Sequence, residues 1–349
     1  MQSPWDYPDF DDHEVVHFVT DRESGLRAII AVHSTHLGPG AGGTRFWHYE
    51  QGGDAVADAL RLSRGMSYKN AMAGLPLGGG KAVILADKDR TKTEAMLVAY
   101  GRAVDRLGGA YITAEDVGIG VADLVIVSKH TRHVAGLPAA EGEVGGDPGP
   151  HTAYGIFLGV KAAARRALGK DSLAGLHIAI QGAGSVAGGL ARHAAAEGAR
   201  LSIADIDAAR AQKLAAEVGG AVVDPRDILT LEADVLSPCA LGAILTEQSI
   251  AALRVPVVAG AANNQLATPQ DGDRIAARGI LYAPDYVINA GGIINVSSEH
   301  LGDADEAGVK ARIEKIPGRL DAIWEESEST GRNPAEVADA MAQRLIGRG

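Results

Sequence analysis

Apolar and polar positions along this chain switch repeatedly between a strand-like period and a helix-like period. Residues 27–33 (RAIIAVH) form a short apolar run that predicts a strand, and 54–69 carry Ala, Leu and Met at helical spacing. A β-branched strand at 81–85, a helix at 93–107 and a strand at 110–113 follow. Residues 152–168 predict a strong amphipathic helix. Then comes a buried strand at 176–181 (LHIAIQ), and a glycine turn running into a helix (GAGSVAGGLARHAAAEG). Further strands are predicted at 200–204, 221–223, around Val235, at 257–259 and at 280–283. The end, 304–348, reads as helix broken at Pro317 and at Asn333-Pro334. Strands separated by helices of roughly 10–15 residues predict parallel sheets with crossover helices, an α/β class.

The stretch EGEVGGDPGP (141–150) lacks apolar periodicity and is rich in Gly and Pro, which marks it as the linker. A chain of 349 residues suggests two domains, which this linker divides at 140/141. Composition is that of an ordinary globular protein, 46% hydrophobic and 22% charged. Its 45 glycines sit in short clusters, which points to tight turns and close backbone approaches. A formal net charge of −11 argues against nucleic acid or an anionic membrane as partner, while leaving room for a small anionic substrate at a local lysine pair. Cys239 is the single cysteine, so neither an internal disulfide nor a zinc site is expected, and a reducing, cytoplasmic setting fits. The acidic start MQSPWDYPDFDD has no apolar h-region, and no apolar run reaches about 18 residues, so neither a signal peptide nor a transmembrane helix is expected.

Two stretches carry candidate chemistry. LPLGGGKAVI (75–84) ends a glycine run on Lys81, but a P-loop would need a glycine where Leu75 stands and Ser or Thr where Ala82 stands. That reading fails, and Lys81 needs another role. Gly182-Ala183-Gly184-Ser185-Val186-Ala187 fits G-x-G-x-x-G/A between a predicted strand and a predicted helix. Gly182 allows the turn, Gly184 lets a pyrophosphate approach, and Ser185 and Val186 open the helix whose free N–H groups favour anions. Asp205 ends the next strand, where a carboxylate binds a ribose 2′-hydroxyl and repels a 2′-phosphate, so NAD is expected over NADP. An ordinary tight turn is the bland alternative. Asp207 is placed to cap the helix from Ala208.

An isolated lysine usually belongs to solvated surface. Lys69 (GMSYKNAMAG) and Lys81 (GGGKAVI) instead have Met, Ala, Gly and Val as neighbours, and Asp116 (TAEDVGIG) lies just past a predicted strand. A buried lysine near another cation loses proton affinity and can serve as a base. A nearby aspartate could carry protons and hold it, and a second, charged lysine would bind a substrate carboxylate.

These residues resemble the Glu/Leu/Phe/Val amino acid dehydrogenase family, in its leucine, valine and phenylalanine dehydrogenase branch. The matching segments are GPGAGGTRFW, GMSYKNAMAGLPLGGGKAVI, TAEDVG, GDPGPHTAYG, IQGAGSVAG, SPCALGAIL, VVAGAANNQL and GILYAPDYVINAGGIINV, in family order over most of the chain. The resemblance implies an N-terminal α/β substrate domain and a C-terminal Rossmann-type NAD-binding domain with the active site in the cleft between them. It implies domains at 1–140 (with 333–349 returning to it) and 141–332, a homo-oligomer, and no resident metal. It implies NAD-dependent, reversible oxidative deamination of an apolar L-amino acid to the 2-oxo acid and ammonia. Lys81 would activate the water that attacks the imine, Asp116 would exchange protons, and Lys69 would bind the substrate carboxylate, helped by backbone near Gly42 and Gly43. The glycines before Lys81 would let substrate and cofactor lie against the backbone. Asn263 matches a residue near nicotinamide and substrate, Thr152 one that bonds the carboxamide, and Cys239 and Ala240 positions beside the adenosine half. Asn263 and Asn264 as simple turn residues, and Cys239 as a small buried hydrophobe, remain open.

Three departures from the family pattern stand out. Gly149-Pro150-His151 replaces a Ser-Pro followed by an aliphatic residue, and Ile119-Gly120 replaces Thr-Thr. The third concerns specificity. Ala41 suggests a roomier side-chain pocket, Ile293 narrows it, and Val296 matches branched-chain members. One methylene is worth about 1–3 kcal/mol in such a pocket. Branched-chain and other aliphatic substrates are favoured, with phenylalanine as the alternative. A 2-hydroxy-acid dehydrogenase would need a His–acid pair beside an Arg; His33, His36 and His151 lie nearest the candidate segments, and none is expected in that setting. A non-catalytic NAD-binding regulator would not need Lys69, Lys81 and Asp116 together.

Overall fold

The computed structural model describes residues 4–89, 91–138 and 144–349. Glu141, Gly142 and Glu143 of the expected linker, and the 140/141 boundary, lie outside the described residues. The chain divides into two compact units. One is Met1–Gly146 with Val296–Glu306 and Ala342–Gly349, and the other is Asp147–Asn295 with Ala307–Met341.

In the first unit β1 (Val15–Asp21), β2 (Leu26–Ser34) and β3 (Gly40–Trp47) precede α1 (Gly52–Met72). Then come β4 (Gly78–Leu85), α2 (Glu94–Asp105), β5 (Tyr111–Ala114) and α3 (Val121–Ser128). The sheet order is β1-β2-β4-β3-β5. β3 runs parallel to β4 and β5, but β2 is antiparallel to both β1 and β4, so this sheet is mixed and corrects the expectation of parallel sheets. The β1–β2 pairing follows from the short connection between them, which turns at Gly25 (φ 74°) and can only join antiparallel strands. β1 and β3 were not anticipated as strands: β1 is largely half-buried, and β3 opens with glycines that read as loop.

Successive side chains on β2 and β4 enter opposite cores. Ile30, Ala82 and Ile84 pack with Leu97, Tyr100 and Leu124, whereas Ile29, Ala31 and Val83 pack with Ala55, Ala59 and Leu60 of α1. Lys81 shares its strand face with Val83 and therefore belongs to the α1 side.

The second unit is a fully parallel sheet, ordered β11-β10-β9-β6-β7-β8. α4 (Gly149–Leu168) leads to β6 (His177–Gln181), α5 (Ser185–Ala196), β7 (Arg200–Ala204), α6 (Ala208–Val218), β8 (Ala221–Val222) and β9 (Val235–Pro238). α7 (Glu247–Ala252), β10 (Val257–Val258), α8 (Gln270–Ala277), β11 (Leu281–Tyr282) and α9 (Asp285–Ile288) continue it. α10 (Gly291–Leu301), α11 (Glu306–Ile313), α12 (Ile316–Thr330) and α13 (Pro334–Leu345) complete the chain. Pro317 sits in the first turn of α12, where its missing N–H costs nothing, and Pro334 opens α13. The chain winds from β6 to β8 in one direction and resumes at β9 on the other side of β6. This is the Rossmann-type order, with its switch point between β6 and β9. Among the described residues no helix is long and apolar enough to cross a membrane.

Candidate active site

In the first unit, strand pairing and the length of the β5–α3 connection bring Lys81 and Asp116 together. Lys81 Nζ lies 2.9 Å from Asp116 Oδ2, and Lys81 is only 5% exposed. Burial lowers the lysine's proton affinity, and the carboxylate of Asp116 offsets that only in part. Burial alone would raise the Asp116 pKa, but the cations of Lys81 and Arg45 together outweigh it, so the carboxyl is held below its ordinary range. The geometry thus sets a lysine whose proton affinity burial lowers beside a carboxyl whose pKa its two cationic neighbours hold down.

Arg45 was not singled out in the sequence. Its Nε donates to Asp116 Oδ2 at 2.9 Å, and its Nη1 donates to Asp58 Oδ2 at 2.8 Å. Asp58 also accepts from Tyr49 at 2.7 Å and from Arg61 at 2.9 Å. The only signal was the alternation of β3: Arg45 falls between Thr44 and Phe46, on the α1 face. A cavity of about 520 Å³ has Arg45, Trp47, Tyr49, Asp58 and Arg61 among its walls; neither Lys81 nor Asp116 lines it.

Ala41, Gly42 and Gly43 are buried on β3, and Ala41 is in register with Gly79 of β4 and Ile112 of β5. A Cβ on Gly42 would stand 1.9 Å from the Gly80 carbonyl oxygen, and one on Gly43 2.3 Å from that of Glu115. The run Gly78-Gly79-Gly80 is equally filled by the protein. Added Cβ atoms would meet the Ser34 carbonyl oxygen at 1.8 Å, the Ser67 nitrogen at 2.1 Å and the Tyr111 ring at 2.5 Å. The expectation that these three glycines make room for substrate and cofactor is thus corrected. They let α1 and the neighbouring strands close around β4, and so set Lys81. Lys69 is half-buried near the end of α1. The adjacent Asn70, also unanticipated, is fully buried and donates to the Gly78 carbonyl at 2.6 Å, tying that end of α1 to β4.

One histidine contradicts its expected setting. His33 does form a His–acid pair beside an arginine: Nε2 is 3.0 Å from Asp11 Oδ2 and 2.8 Å from Arg348 Nη1. Yet His33 is fully buried, its Nδ1 meets Ser67 at 2.8 Å, and Arg348 is spent on the backbone carbonyls of Asp11, Asp12 and His33. The cluster is a brace, not a substrate clamp.

In the second unit the glycine motif takes the expected form at the end of β6. Gly182 has φ 108°, a conformation few other residues adopt, and its Cβ position faces Cys239 at 3.1 Å and Ala240 at 3.2 Å. Gly184 caps α5 with nothing within 4 Å of its Cβ position, so the first turn, from Ser185 and Val186, is open above. Ala187 is buried beneath it. Asp205 Oδ2 accepts from Ala183 N at 2.7 Å and Oδ1 from Asp207 N at 2.8 Å, which fixes the carboxylate beside the loop. Asp207 caps α6 by accepting from Ala209 and Arg210. These residues fit a dinucleotide: an open helix N-terminus, a tight glycine turn and a fixed acid at the end of β7.

Around them, Thr152 on α4 donates its hydroxyl to the Pro148 carbonyl at 2.9 Å. Cys239 is partly buried, and burial raises its thiol pKa, so it stays protonated. Asn264 has the positive φ of a turn residue, 52°. Asn263 is exposed, and its Oδ1 accepts from Asn289 Nδ2 at 2.6 Å, which assigns the amide orientation and leaves its own NH₂ to donate elsewhere. Asn289, buried within YVINAGG, was missed because a buried amide gives no periodic signal. Ile293 and Val296 lie one turn apart on α10, half-buried and buried respectively.

Residues 13–133 match the family described as Glu/Leu/Phe/Val dehydrogenase, dimerisation domain. Residues 204–345 match the one described as Glutamate/Leucine/Phenylalanine/Valine dehydrogenase. The chain is 49% identical over 335 residues to a leucine dehydrogenase of Geobacillus stearothermophilus, covering 96% of this chain and 91% of that one. It is 45% identical over 338 residues to a valine dehydrogenase of Streptomyces albus, covering 96% and 92%. Among solved structures, an L-tryptophan dehydrogenase from Nostoc punctiforme is 41% identical and superposes with a TM-score of 0.85, covering 96% of each chain.

Proposed function

The chain belongs to the Glu/Leu/Phe/Val dehydrogenase family, and from that premise we propose that it catalyses the reversible, NAD-dependent oxidative deamination of a branched-chain or other aliphatic L-amino acid, such as leucine or valine, to the 2-oxo acid and ammonia. The pair of buried Lys81 and half-buried Asp116, at 2.9 Å, is the observation that carries the chemistry.

NAD, when bound, accepts the Cα hydride. Gly182, Gly184, Ser185 and Val186 would hold its pyrophosphate and Asp205 its adenosine ribose, Cys239 and Ala240 would flank the adenosine half, and Thr152 and Asn263 would meet the nicotinamide end. Loss of hydride leaves a cationic substrate imine. Lys81, whose proton affinity burial lowers, acts in its neutral form and takes a proton from the water that attacks the imine. Asp116 exchanges protons with the substrate amine and with Lys81, and ammonia leaves. Lys69 binds the substrate carboxylate beside Gly42 and Gly43. Ala41, Ile293 and Val296 shape the side-chain pocket. A phenylalanine preference is the second reading, favoured by the small Ala41. Ala41, Gly42, Gly43, Lys69, Lys81 and Asp116 belong to the proposed domain 1–140, and the NAD-binding residues, with Ile293 and Val296, to 141–332; of the proposed return 333–349, Ala342–Gly349 groups with the first unit. The dimerisation domain matched by 13–133 supports a homo-oligomer, and the acidic chain with one cysteine suits the cytoplasm.

NADH formation with a panel of L-amino acids tests the proposal, beside Lys81→Ala. Turnover of leucine or valine that collapses about 10²–10⁴-fold in the variant is expected. NAD binding without turnover of any amino acid would refute it in favour of a regulator.

A further inference from the structure

We infer that Arg45 is a positioning residue for the deamination: it clamps the Asp116 carboxylate against Lys81 and keeps a fixed cation beside both. The inference rests on the reading of Lys81 as the base. Asp116 Oδ2 accepts two donors at once, Lys81 Nζ at 2.9 Å and Arg45 Nε at 2.9 Å. The second arm of the guanidinium is anchored on Asp58, which Tyr49 and Arg61 hold in turn. A planar guanidinium presents two donor nitrogens at separate fixed positions, Nε to Asp116 and Nη1 to Asp58, which the single nitrogen of an ammonium does not.

Each element packed on this sheet face contributes a charged group: β3 supplies Arg45, α1 supplies Asp58 and Arg61 with Lys69 further along, and Asp116 follows β5. Asp116 and Asp58 favour a protonated lysine, and Arg45 opposes it. Arg45 thus performs two tasks. It fixes the acceptor oxygen that faces Lys81, and its charge removes part of the proton affinity that the two aspartates restore.

The test compares wild type with Arg45→Gln, Arg45→Lys and a Lys81→Ala control, all as full chains. The readouts are kcat, KM for the amino acid, the acid limb of the kcat/KM–pH profile, and NADH binding by fluorescence. Arg45→Gln is expected to lower kcat about 10- to 100-fold by releasing the aspartate. It should also move the acid limb up by about one pH unit, because losing a neighbouring cation raises the lysine pKa. NADH binding should be unchanged. Arg45→Lys keeps the charge but loses the span, so it lowers kcat several-fold while the limb stays in place. An Arg45→Gln limb that does not move overturns the inference even if kcat falls. Should Arg45→Gln fail to fold, an Arg45→Lys enzyme with wild-type kcat overturns it. A Lys81→Ala enzyme that still turns over would instead sink the reading of Lys81 as base, which separates the two failures.

Discussion

Burial and the Asp116 carboxylate pull the proton affinity of Lys81 in opposite directions, and burial prevails. A base must be deprotonated to act, so kcat/KM should fall as pH drops below the lowered lysine pKa. Replacing Asp116 by Asn removes the anion that favours the charged lysine. The acid limb of the pH–rate profile should therefore move to lower pH, while kcat drops about 10²-fold or more because the proton partner is gone. A limb that moves upward would contradict the assignment. Lys69 should behave differently. A group that binds the substrate carboxylate equally in ground and transition states acts on KM, so Lys69→Ala should raise KM for the amino acid by about 100-fold and leave kcat nearly intact, as steady-state kinetics would show. Lys69 and Lys81 stand out in the sequence because their neighbours are anomalous for charged side chains, and Asp116 because it lies just past a predicted strand; of the three, the structure pairs Lys81 with Asp116. Arg45, Asn70 and Asn289 do not stand out, because an arginine in a half-polar strand or an asparagine near a glycine gives no local anomaly.

At the scale of elements, the site depends on how closely α1 and β3 approach β4. Gly79 has the Ser67 backbone nitrogen where its Cβ would be, at 2.1 Å. A backbone atom cannot rotate away, so Gly79→Ala must push α1 off the sheet. The expected cost is about 1–3 kcal/mol, measured by urea unfolding, together with a loss of activity because α1 carries Lys69 and β4 carries Lys81. Unchanged stability would mean that α1 shifts freely. The same packing explains which elements sequence periodicity found. β2 and β4 are buried on both faces and read as continuous apolar runs, whereas β3 is a strand only because its glycines meet neighbouring backbone.

For the whole molecule, the brace between the two chain ends sets a pH response. Burial, the largest cause, lowers the pKa of His33 from 6.5 to about 4. The unfolded chain therefore binds a proton between those values that the folded chain refuses, and stability is full above pH 6.5 and lost as pH falls toward 4. His33 alone should remove about 2 kcal/mol between pH 7 and pH 5. His13, also lowered by burial, adds in the same direction. Denaturant unfolding at several pH values, in wild type and His33→Asn, checks this: the variant should show a flatter slope over that window, and an unchanged slope would assign the effect to other groups.

What the sequence determined by itself was local or nearly so. The glycine motif with its following acid, the helix caps and Pro breaks, the doubly buried strands and the anomalous lysines are all written within about 25 residues, the reach of one βαβ unit. The tertiary structure alone decided the mixed pairing of the first sheet, the close contacts that require Gly42, Gly79 and Gly80, and the Arg45–Asp58 anchor behind Asp116. It also decided the His33–Arg348 brace across 315 residues of sequence. Those features are contacts between distant segments. A side chain's partner across a sheet, or the atom occupying a missing Cβ, depends on packing that no window of sequence contains.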